Sequence, residues 1–440
     1  MNDWTPARLG DLIDIKHGYA FKGEYFREAP PGQILLTPGN FAIGGGFQFG
    51  KVKYYAGPQA PDYILSAGDL LVTMTDLSKA GDTLGYPAIV PADDNVYLHN
   101  QRLGKVLLRS ADVEQDFIYW LLRTNDYRAE VLASCTGSTV KHTSPGRIQA
   151  FRFLLPPREQ RQRICEALNS LDDKIELNRR INETLEAMAQ AIFRDWFVDF
   201  GPTLRKLDGA TDPLTIMGGL VQDSGRAQAL ADLFPAAFGG DGLPEGWNAG
   251  RLDELAEVHM GASPKGDTYN EDGVGTPLAN GPVEFGDYFL VEKKWTTSPT
   301  RLSQVGDFVI CVRGSTTGRH VFADGAYCLG RGVAALRGLP GEQDFVNATI
   351  IMHLDTLLQK TTGSVFPNLS GDDIRSFSCL VPPKAVRRQF SLLAEPLRMR
   401  IWHNIHENRT LAASRDLLLP KLMSGEIRLS EAEDLMEAAQ

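Results

Sequence analysis

The chain has 440 residues, of which 43% are hydrophobic and 23% charged, and its formal net charge is −10. These values are ordinary for a globular protein with two or three domains, and the absence of an apolar run approaching about 20 residues excludes a membrane-spanning helix. The N-terminus lacks a basic region followed by an apolar stretch, so we expect no signal peptide. Five cysteines without a CxxC pair indicate reduced thiols in a cytoplasm rather than a disulfide framework. The negative charge argues mildly against nucleic-acid binding, although a local basic face is sufficient for it.

Residues 1–157 have the pattern of an α/β domain made of short strands and many turns. A helix is predicted over Gln115–Ala133 from its apolar periodicity, and Pro156–Pro157 closes the domain. The predicted strands, bounded by Gly, Pro and Asp, are Gln33–Thr37, Asp69–Met74, Tyr86–Val90, Lys105–Leu108 and Phe151–Leu155.

A long helix is predicted next, over residues 158–200. Its seam positions alternate in steps of four and three, which is the a/d repeat of a coiled-coil helix, and no Pro or Gly interrupts them. A second seam follows 226 positions later, within residues 384–440, where Pro396 and Pro420 are expected to trim or kink the ends. The first seam is Ile164, Leu168, Leu171, Ile175, Asn178, Asn182, Leu185, Ala189, Ile192 and Trp196, and the second is Phe390, Ala394, Leu397, Ile401, Asn404, Asn408, Leu411, Arg415, Leu418 and Leu422.

Each seam carries two asparagines at equivalent places, Asn178 and Asn182 in the first and Asn404 and Asn408 in the second. A buried Asn at such a position costs stability but sets register and partner. Antiparallel pairing of the two helices would bring Asn178 near Asn408 and Asn182 near Asn404, so that amides meet amides. Two unrelated surface helices are the alternative, which the constant offset disfavours.

The second half of the chain repeats the first. Residues 201–243 are rich in Gly, Pro and Asp and are predicted to be a connector with a short helix near Gln228–Phe234. Residues 244–383 restart the first domain, because positions between Trp4 and Lys22 recur 243 residues later, and GSTVKHTSPGRIQAFRFLLPP recurs as GSVFPNLSGDDIRSFSCLVPP 226 residues later. We therefore predict an α+β fold from tandem duplication of a domain-plus-helix unit: two similar α/β domains joined by two long antiparallel coiled-coil helices, with pseudo-twofold symmetry.

The sequence contains no convincing enzyme motif. The stretch GGFQFGKV has GxxxxGK spacing but ends in Val where a phosphate loop needs Ser or Thr. The Asn/Asp-Pro-Pro-Tyr/Phe motif of amino-methyltransferases and the HExxH metal motif are both missing. His403 and His406 on the second long helix are better explained by a solvated face than by a metal. We therefore predict neither catalysis nor metal binding on this chain.

Polar and basic loops remain as candidates for DNA binding. The loops MTDLSKAGD and VRGSTTGRH each follow a repeated Gly-Asp strand, and the segments around Asn40 and Asn280 are comparable. Lys and Arg in such loops can neutralise phosphates or contact guanine, while hydroxyls serve phosphate or base. A loop-structuring role is the alternative for each residue. The candidates are Lys22, Asn40, Thr75, Ser78, Lys79, Arg102, Lys141, His142, Lys265, Asn280, Arg313, Ser315, Thr316, Arg319, Arg331 and Asn368.

The run LDDKIELNRRINETLEAMAQAIFRDWFVDF, the preceding LLPPREQRQRI and the later LLLPKLMSGEI resemble the conserved regions of type I restriction-modification specificity subunits. The resemblance extends over almost the whole chain. It implies two target recognition domains, each reading one half of a split double-stranded DNA sequence, held apart by the two helices. A helix of about 33 residues is roughly 50 Å long, which suits half-sites separated by a DNA turn of about 34 Å or more.

The resemblance also implies partners. Two methyltransferase (modification) subunits would dock on this scaffold and supply S-adenosylmethionine binding, and restriction/translocase subunits would use ATP and Mg, so no cofactor is expected on this chain. Phe193, Trp196 and Phe197 crowd one end of the first long helix, where they either pack on the neighbouring domain or receive a partner subunit. The alternatives are a stand-alone DNA-binding regulator or orphan specificity protein, and a scaffold for other proteins.

Overall fold

The computed structural model describes residues 3–50, 52–58, 60–359 and 368–427. The chain divides into two compact units: residues 1–178 with 406–440 form the first unit, and residues 179–405 form the second unit. Each unit contains one mixed α/β domain and part of two long helices. We name these the central helix, Arg158–Phe197, and the distal helix, Lys384–Ser424.

An antiparallel four-stranded sheet forms the centre of the first unit. Its strand Leu70–Thr73 is buried along its whole length, which explains why it is a continuous apolar run in the sequence. The spatial order is Ile13–His17, Leu103–Leu108, Leu70–Thr73 and Pro87–Ile89. A second sheet has the order Phe26–Arg27, Tyr54–Tyr55, Gln33–Leu35, Tyr97–Leu98 and Ile64–Leu65. Two further strand pairs form two-stranded ribbons. One ribbon pairs Thr5–Arg8 with Arg152–Leu155, and the other pairs Thr75–Asp76 with Lys141–His142. All five strands predicted from the sequence of this domain are present, with shifted ends.

The helix predicted over Gln115–Ala133 is two helices, Gln115–Leu121 and Asn125–Ser134. Thr124 separates them, because its backbone is extended and its hydroxyl donates to the carbonyl of Leu121 at 2.8 Å. A short hydroxyl side chain competes with helical hydrogen bonds in this way. The other short helices of the unit are Leu9–Leu12 and Pro145–Gln149.

The second unit repeats the same strand order. Its four-stranded sheet runs Ala256–Met260, Val333–Gly338, Phe308–Cys311 and His320–Phe322, and Asn248–Arg251 pairs with Ser378–Val381 as the first ribbon does in the first unit. The second sheet runs Tyr269–Asn270, Trp295–Thr296, Thr276–Ala279 and Cys328–Leu329. The helices of this domain are Gln343–Met352, Leu354–Leu358 and Gly371–Arg375. The predicted internal repeat is therefore confirmed.

Repeated glycines mark the same close approach in both units. A Cβ atom on Gly18 would lie 2.1 Å from the carbonyl oxygen of Asn100, and one on Gly261 would lie 2.0 Å from the carbonyl oxygen of Gly330. Backbone packed this tightly leaves no room for a side chain, which explains why both equivalent positions, Gly18 and Gly261, are glycine.

The predicted connector is a folded part of the second unit. Three short helices, Gly201–Leu207, Pro213–Ile216 and Ser224–Ala231, replace the single short helix expected near Gln228–Phe234. Their apolar side chains lie in the same core as the central helix; they include Ile216, Met217, Ala227, Leu230 and Phe234. The Gly, Pro and Asp residues that suggested a linker instead terminate and cap these helices, as Asp212 and Asp223 do by accepting from backbone N–H groups.

In each unit the central and distal helices run antiparallel. Asn178 donates to Asn408 at 2.9 Å in the first unit, and Asn404 donates to Asn182 at 2.8 Å in the second, so the predicted amide pairs form. We expected Pro396 and Pro420 to trim or kink the ends of the distal helix, but the helix continues through both, so they do not trim it. Buried apolar residues on both sides of these prolines, such as Ala394, Ile401 and Leu418, oppose the cost of about 3 kcal/mol that an interior proline carries.

Candidate nucleic-acid interface

In the first unit a loop after the buried strand Leu70–Thr73 is held between two other segments. The Met74 N–H donates to the Arg102 carbonyl at 2.9 Å, and the Thr143 N–H donates to the Met74 carbonyl at 3.0 Å. The ribbon places Thr75 opposite His142, with 3.1 Å between the hydroxyl and Nδ1. The fold thereby gathers six of the sequence candidates, which we call the first candidate surface: Thr75, Ser78, Lys79, Arg102, Lys141 and His142.

Asp76 organises this loop, although sequence reasoning did not select it. Its carboxylate is 4% exposed and accepts from the Ser78 N–H at 2.6 Å and from the Thr83 hydroxyl at 2.6 Å. Burial alone would raise the pKa of Asp76, but the hydrogen bonds from Thr83 and Ser78 outweigh it and the pKa is lowered. Asp76 therefore stays ionised and fixes the loop that carries Lys79, whose side chain is exposed.

The second unit builds the same arrangement from different side chains. The Val312 N–H donates to the Gly332 carbonyl at 2.9 Å, and the Leu369 N–H donates to the Val312 carbonyl at 2.9 Å. Arg313 forms an antiparallel bridge with Asn368, in the place of the Thr75 and His142 pair. The gathered candidates, the second candidate surface, are Arg313, Ser315, Thr316, Arg319, Arg331 and Asn368. A 226-residue offset links His142 to Asn368 and was the sequence signal for this equivalence.

The remaining candidates divide into exposed and buried residues. Lys22 and Lys265 are exposed at the start of short 3₁₀ turns, and Lys22 lies 3.9 Å from Glu24. The exposed Asn280 packs against Gly330, next to the second candidate surface. Asn40 differs: it is 1% exposed, and its side chain bonds Thr37 and the Phe49 carbonyl, each at 2.9 Å. We therefore reassign Asn40 to loop structure, because its amide is fully used inside the fold.

The aromatic residues proposed for partner contact belong to the core. Phe193, Trp196 and Phe197 are 3%, 1% and 5% exposed, and the Phe197 ring lies 4.9 Å from that of Phe345. Of the two readings that the sequence left open, packing on the neighbouring domain is the one that forms. Because all three side chains are buried within the second unit, they offer almost no exposed surface to a partner subunit.

One ion pair anchors each domain to a long helix, and the sequence analysis missed both of them. Arg161 contacts Glu114 at 3.1 Å in the first unit, and Arg387 contacts Glu342 at 2.7 Å in the second. The signal was present, since Glu114 and Glu342 each begin an EQDF tetrapeptide. Both acids precede the helix that faces the long helices, so the ion pairs fix the domain's orientation within its own unit.

Comparison with known proteins identifies the family. The sequence profile described as the type I restriction modification DNA specificity domain matches residues 1–187 and 244–389. The chain belongs to this family. Two matched segments in one specificity-family chain agree with the duplicated domains.

Curated relatives span the chain almost completely. The type I restriction enzyme HindI specificity subunit of Haemophilus influenzae is 24% identical over 480 residues, covering 97% of this chain and 100% of the relative. The MjaIX specificity subunit of Methanocaldococcus jannaschii is 23% identical over 401 residues, covering 84% of this chain and 79% of the relative. A crystal structure of the S subunit of a type I restriction-modification system from M. genitalium matches with a TM-score of 0.55 at 14% identity, covering 96% of both chains, which is a likeness of fold.

Metal sites, membrane-spanning helices and disulfides were sought among the described residues. Among them, no group of three or more His, Cys, Asp or Glu side chains is arranged to hold a metal ion. Within residues 3–50, 52–58, 60–359 and 368–427, no helix is both long and apolar enough to cross a bilayer. All five cysteines are free thiols.

Proposed function

We propose that this specificity-family chain is the DNA-recognition subunit of a type I restriction-modification complex. It would read a bipartite double-stranded DNA target, with one half-site contacted by the first candidate surface and the other by the second. The observation that carries this proposal is the repeated loop geometry. The same backbone hydrogen bonds hold Met74 and Val312, while the side chains around them differ, as expected when one framework reads two sequences.

The side chains on the two surfaces suit distinct parts of DNA recognition. Exposed Arg313 beside Asn368 offers a guanidinium and an amide, which are the groups that recognise guanine and adenine in the major groove. In the first unit Lys79 and Arg102 are exposed and suit phosphate contacts, whereas His142 and Thr75 are joined as a pair. Basic side chains at these loops can attract phosphate despite the overall charge of −10, because exposed charges farther away than a Debye length of about 10 Å are largely screened.

Catalysis and cofactors are assigned to partner proteins in this proposal. Two methyltransferase subunits would dock on the chain and bind S-adenosylmethionine, and restriction subunits would use ATP and Mg. The chain itself would hold no cofactor and act in the cytoplasm, which its free cysteines favour. Asn178 with Asn408 and Asn182 with Asn404 would set helix register and thereby the spacer between half-sites.

The test is a genome-wide map of methylated bases in a host that expresses this chain with its neighbouring methyltransferase. A split motif, methylated in both halves and lost on deletion of the chain, is the expected result. An unchanged map after deletion, with an active methyltransferase present, would favour a stand-alone regulator or a scaffold instead.

A further inference from the structure

A cavity of about 450 Å³ lies within the second unit. Side chains from the central helix, the distal helix and the helix Gln343–Met352 line it. Its walls are mostly apolar and include Phe193, Phe322, Ile351, Leu397 and Ile401. The volume and the largely apolar lining are typical of sites for small molecules.

The corresponding place in the first unit is filled by the chain itself. The segments that begin with EQDF at Glu114 and Glu342 align Trp120 with Ala348 and Arg123 with Ile351. Trp120 is fully buried and donates from Nε1 to Asn169 at 2.7 Å. The Arg123 guanidinium lies 4.4 Å from the centre of the Trp120 ring and 2.7 Å from Asp172. An aromatic ring covered by a cation, paired with a carboxylate, therefore occupies this place.

The second unit has the smaller side chains Ala348 and Ile351 at the aligned positions, and its cation and ring lie elsewhere, with the Arg398 guanidinium 4.8 Å from the centre of the Trp402 ring. Glu186, Asp287 and Asp344 line the cavity, where Arg398 pairs with Asp344 at 2.5 Å. Burial lowers the pKa of His320, the other basic side chain in the lining, so its ring is neutral near pH 7. The cavity therefore holds more negative than positive charge.

Glu186 is a partly buried acid without a counter-charge among the described residues. It is half-buried on the central helix, and no hydrogen bond or ion pair to it occurs within the described residues. Burial, together with the nearby charge of Glu183, raises its pKa, as expected for a carboxylate short of a partner. Asn347 is 5% exposed, and its Nδ2 likewise has no hydrogen-bond acceptor among the described residues. The Tyr288 ring lies beside Phe322, with 4.8 Å between ring centres, and adds an aromatic wall.

We propose that this cavity binds a small aromatic cation, whose ring lies between the apolar walls and whose charge pairs with Glu186. The ligand would occupy the space that the larger side chains Trp120 and Arg123 fill at the aligned positions of the first unit. A carboxylate, an aromatic face and apolar walls together select such a ligand over a neutral or anionic molecule of the same shape.

Calorimetric titration of the full chain at pH 7.5 tests the site with tryptamine as the cationic probe and indole-3-propionate as its anionic counterpart. We expect tryptamine to bind and indole-3-propionate not to bind. Glu186→Gln should weaken tryptamine by about tenfold or more, since a charge-assisted contact is lost. Ala348→Trp should abolish binding by filling the cavity as Trp120 does. Glu183→Gln is the matched control, because Glu183 is exposed on the same helix and outside the cavity, and it should bind within about twofold of the parent.

Three results would overturn the proposal. Absence of tryptamine binding at millimolar concentration would remove the site, and equal binding of both probes would remove its selectivity for charge. Tryptamine binding that survives both Glu186→Gln and Ala348→Trp would place the ligand elsewhere. None of these results depends on DNA or on a methyltransferase, so the proposed function stands or falls separately.

Discussion

Replacing Arg387 with Met is expected to destabilise the second unit, because this arginine forms the ion pair that anchors the domain to the distal helix. The Arg387 guanidinium lies 2.7 Å from Glu342, and the two side chains are 9% and 0% exposed. A second N–H donates to the carbonyl of Pro382 at the start of the distal helix. The substitution would leave the Glu342 carboxylate buried without its main counter-charge, and breaking such a pair costs roughly 3–5 kcal/mol.

We expect about 3 kcal/mol, the lower end of that range, because Arg388 remains 3.8 Å from the other carboxylate oxygen of Glu342. Urea unfolding followed by tryptophan fluorescence measures the loss, since Trp196, Trp247, Trp295 and Trp402 all lie in the second unit. Arg388→Met is the control; its side chain is 48% exposed, so the expected loss is below about 1 kcal/mol. Equal losses in the two variants, or a loss under about 1 kcal/mol for Arg387→Met, would refute the claim that this ion pair anchors the domain.

Three further predictions concern register, pH and salt. Replacing Asn178 and Asn182 with Leu should keep the helices folded but weaken methylation at the native spacer length, because the amide pairs with Asn408 and Asn404 are lost. Unchanged assembly together with an unchanged methylated motif would argue against a role of these residues in helix register. Burial lowers the pKa of His99 to about 4, so the unfolded state takes up a proton near pH 6.5 while the folded state does not. Stability of the first unit should therefore fall between pH 6.5 and pH 4, by roughly 3 kcal/mol in total, and His99→Phe should flatten this part of the pH profile of urea unfolding. Lys79→Ala should reduce the magnitude of the slope of log affinity against log salt concentration by about 1, measured by DNA titration of the assembled complex. An equal slope in the parent and the variant would exclude a phosphate contact at Lys79.

The duplication was predictable because its signal is repeated along the chain. The offset of 226 residues makes Asn178 equivalent to Asn404 and Asn182 equivalent to Asn408, and antiparallel pairing of the two helices then brings Asn178 to Asn408 and Asn182 to Asn404. The hydrogen bonds of Asn178 and Asn404 have this pattern. Strands such as Leu70–Thr73 were equally predictable, since a buried strand in a sheet is a short apolar run.

The errors arise where tertiary packing overrides local pattern. Gly and Pro between residues 201 and 243 suggested a linker, yet Ile216 and Leu230 are buried in the core of the second unit. Aromatic crowding near Trp196 left domain packing and partner contact as alternatives from sequence, and burial of these side chains in the core of the second unit distinguishes them. Sequence alone also cannot distinguish Asn40 from Asn368. The Asn40 amide forms hydrogen bonds within its own loop, whereas Asn368 forms a backbone bridge with Arg313.

The two half-sites are the part of the function that sequence reasoning leaves open. Base readout depends on where a few side chains point, and those side chains differ between the two candidate surfaces although the backbone hydrogen bonds at Met74 and Val312 are the same. The framework can therefore be inferred from the repeat, whereas the recognised bases have to be measured.

The most direct test of the account is a methylation map of cells that carry the methyltransferase with the parent chain, with His142→Ala or with Arg313→Ala. These substitutions lie at the ribbon of the first unit and the equivalent bridge of the second. The account predicts that each variant relaxes or weakens one half of the split motif, that the two variants affect different halves, and that the other half keeps its sequence. If both substitutions altered the same half, or if neither changed the motif, the assignment of one half-site to each unit would be contradicted.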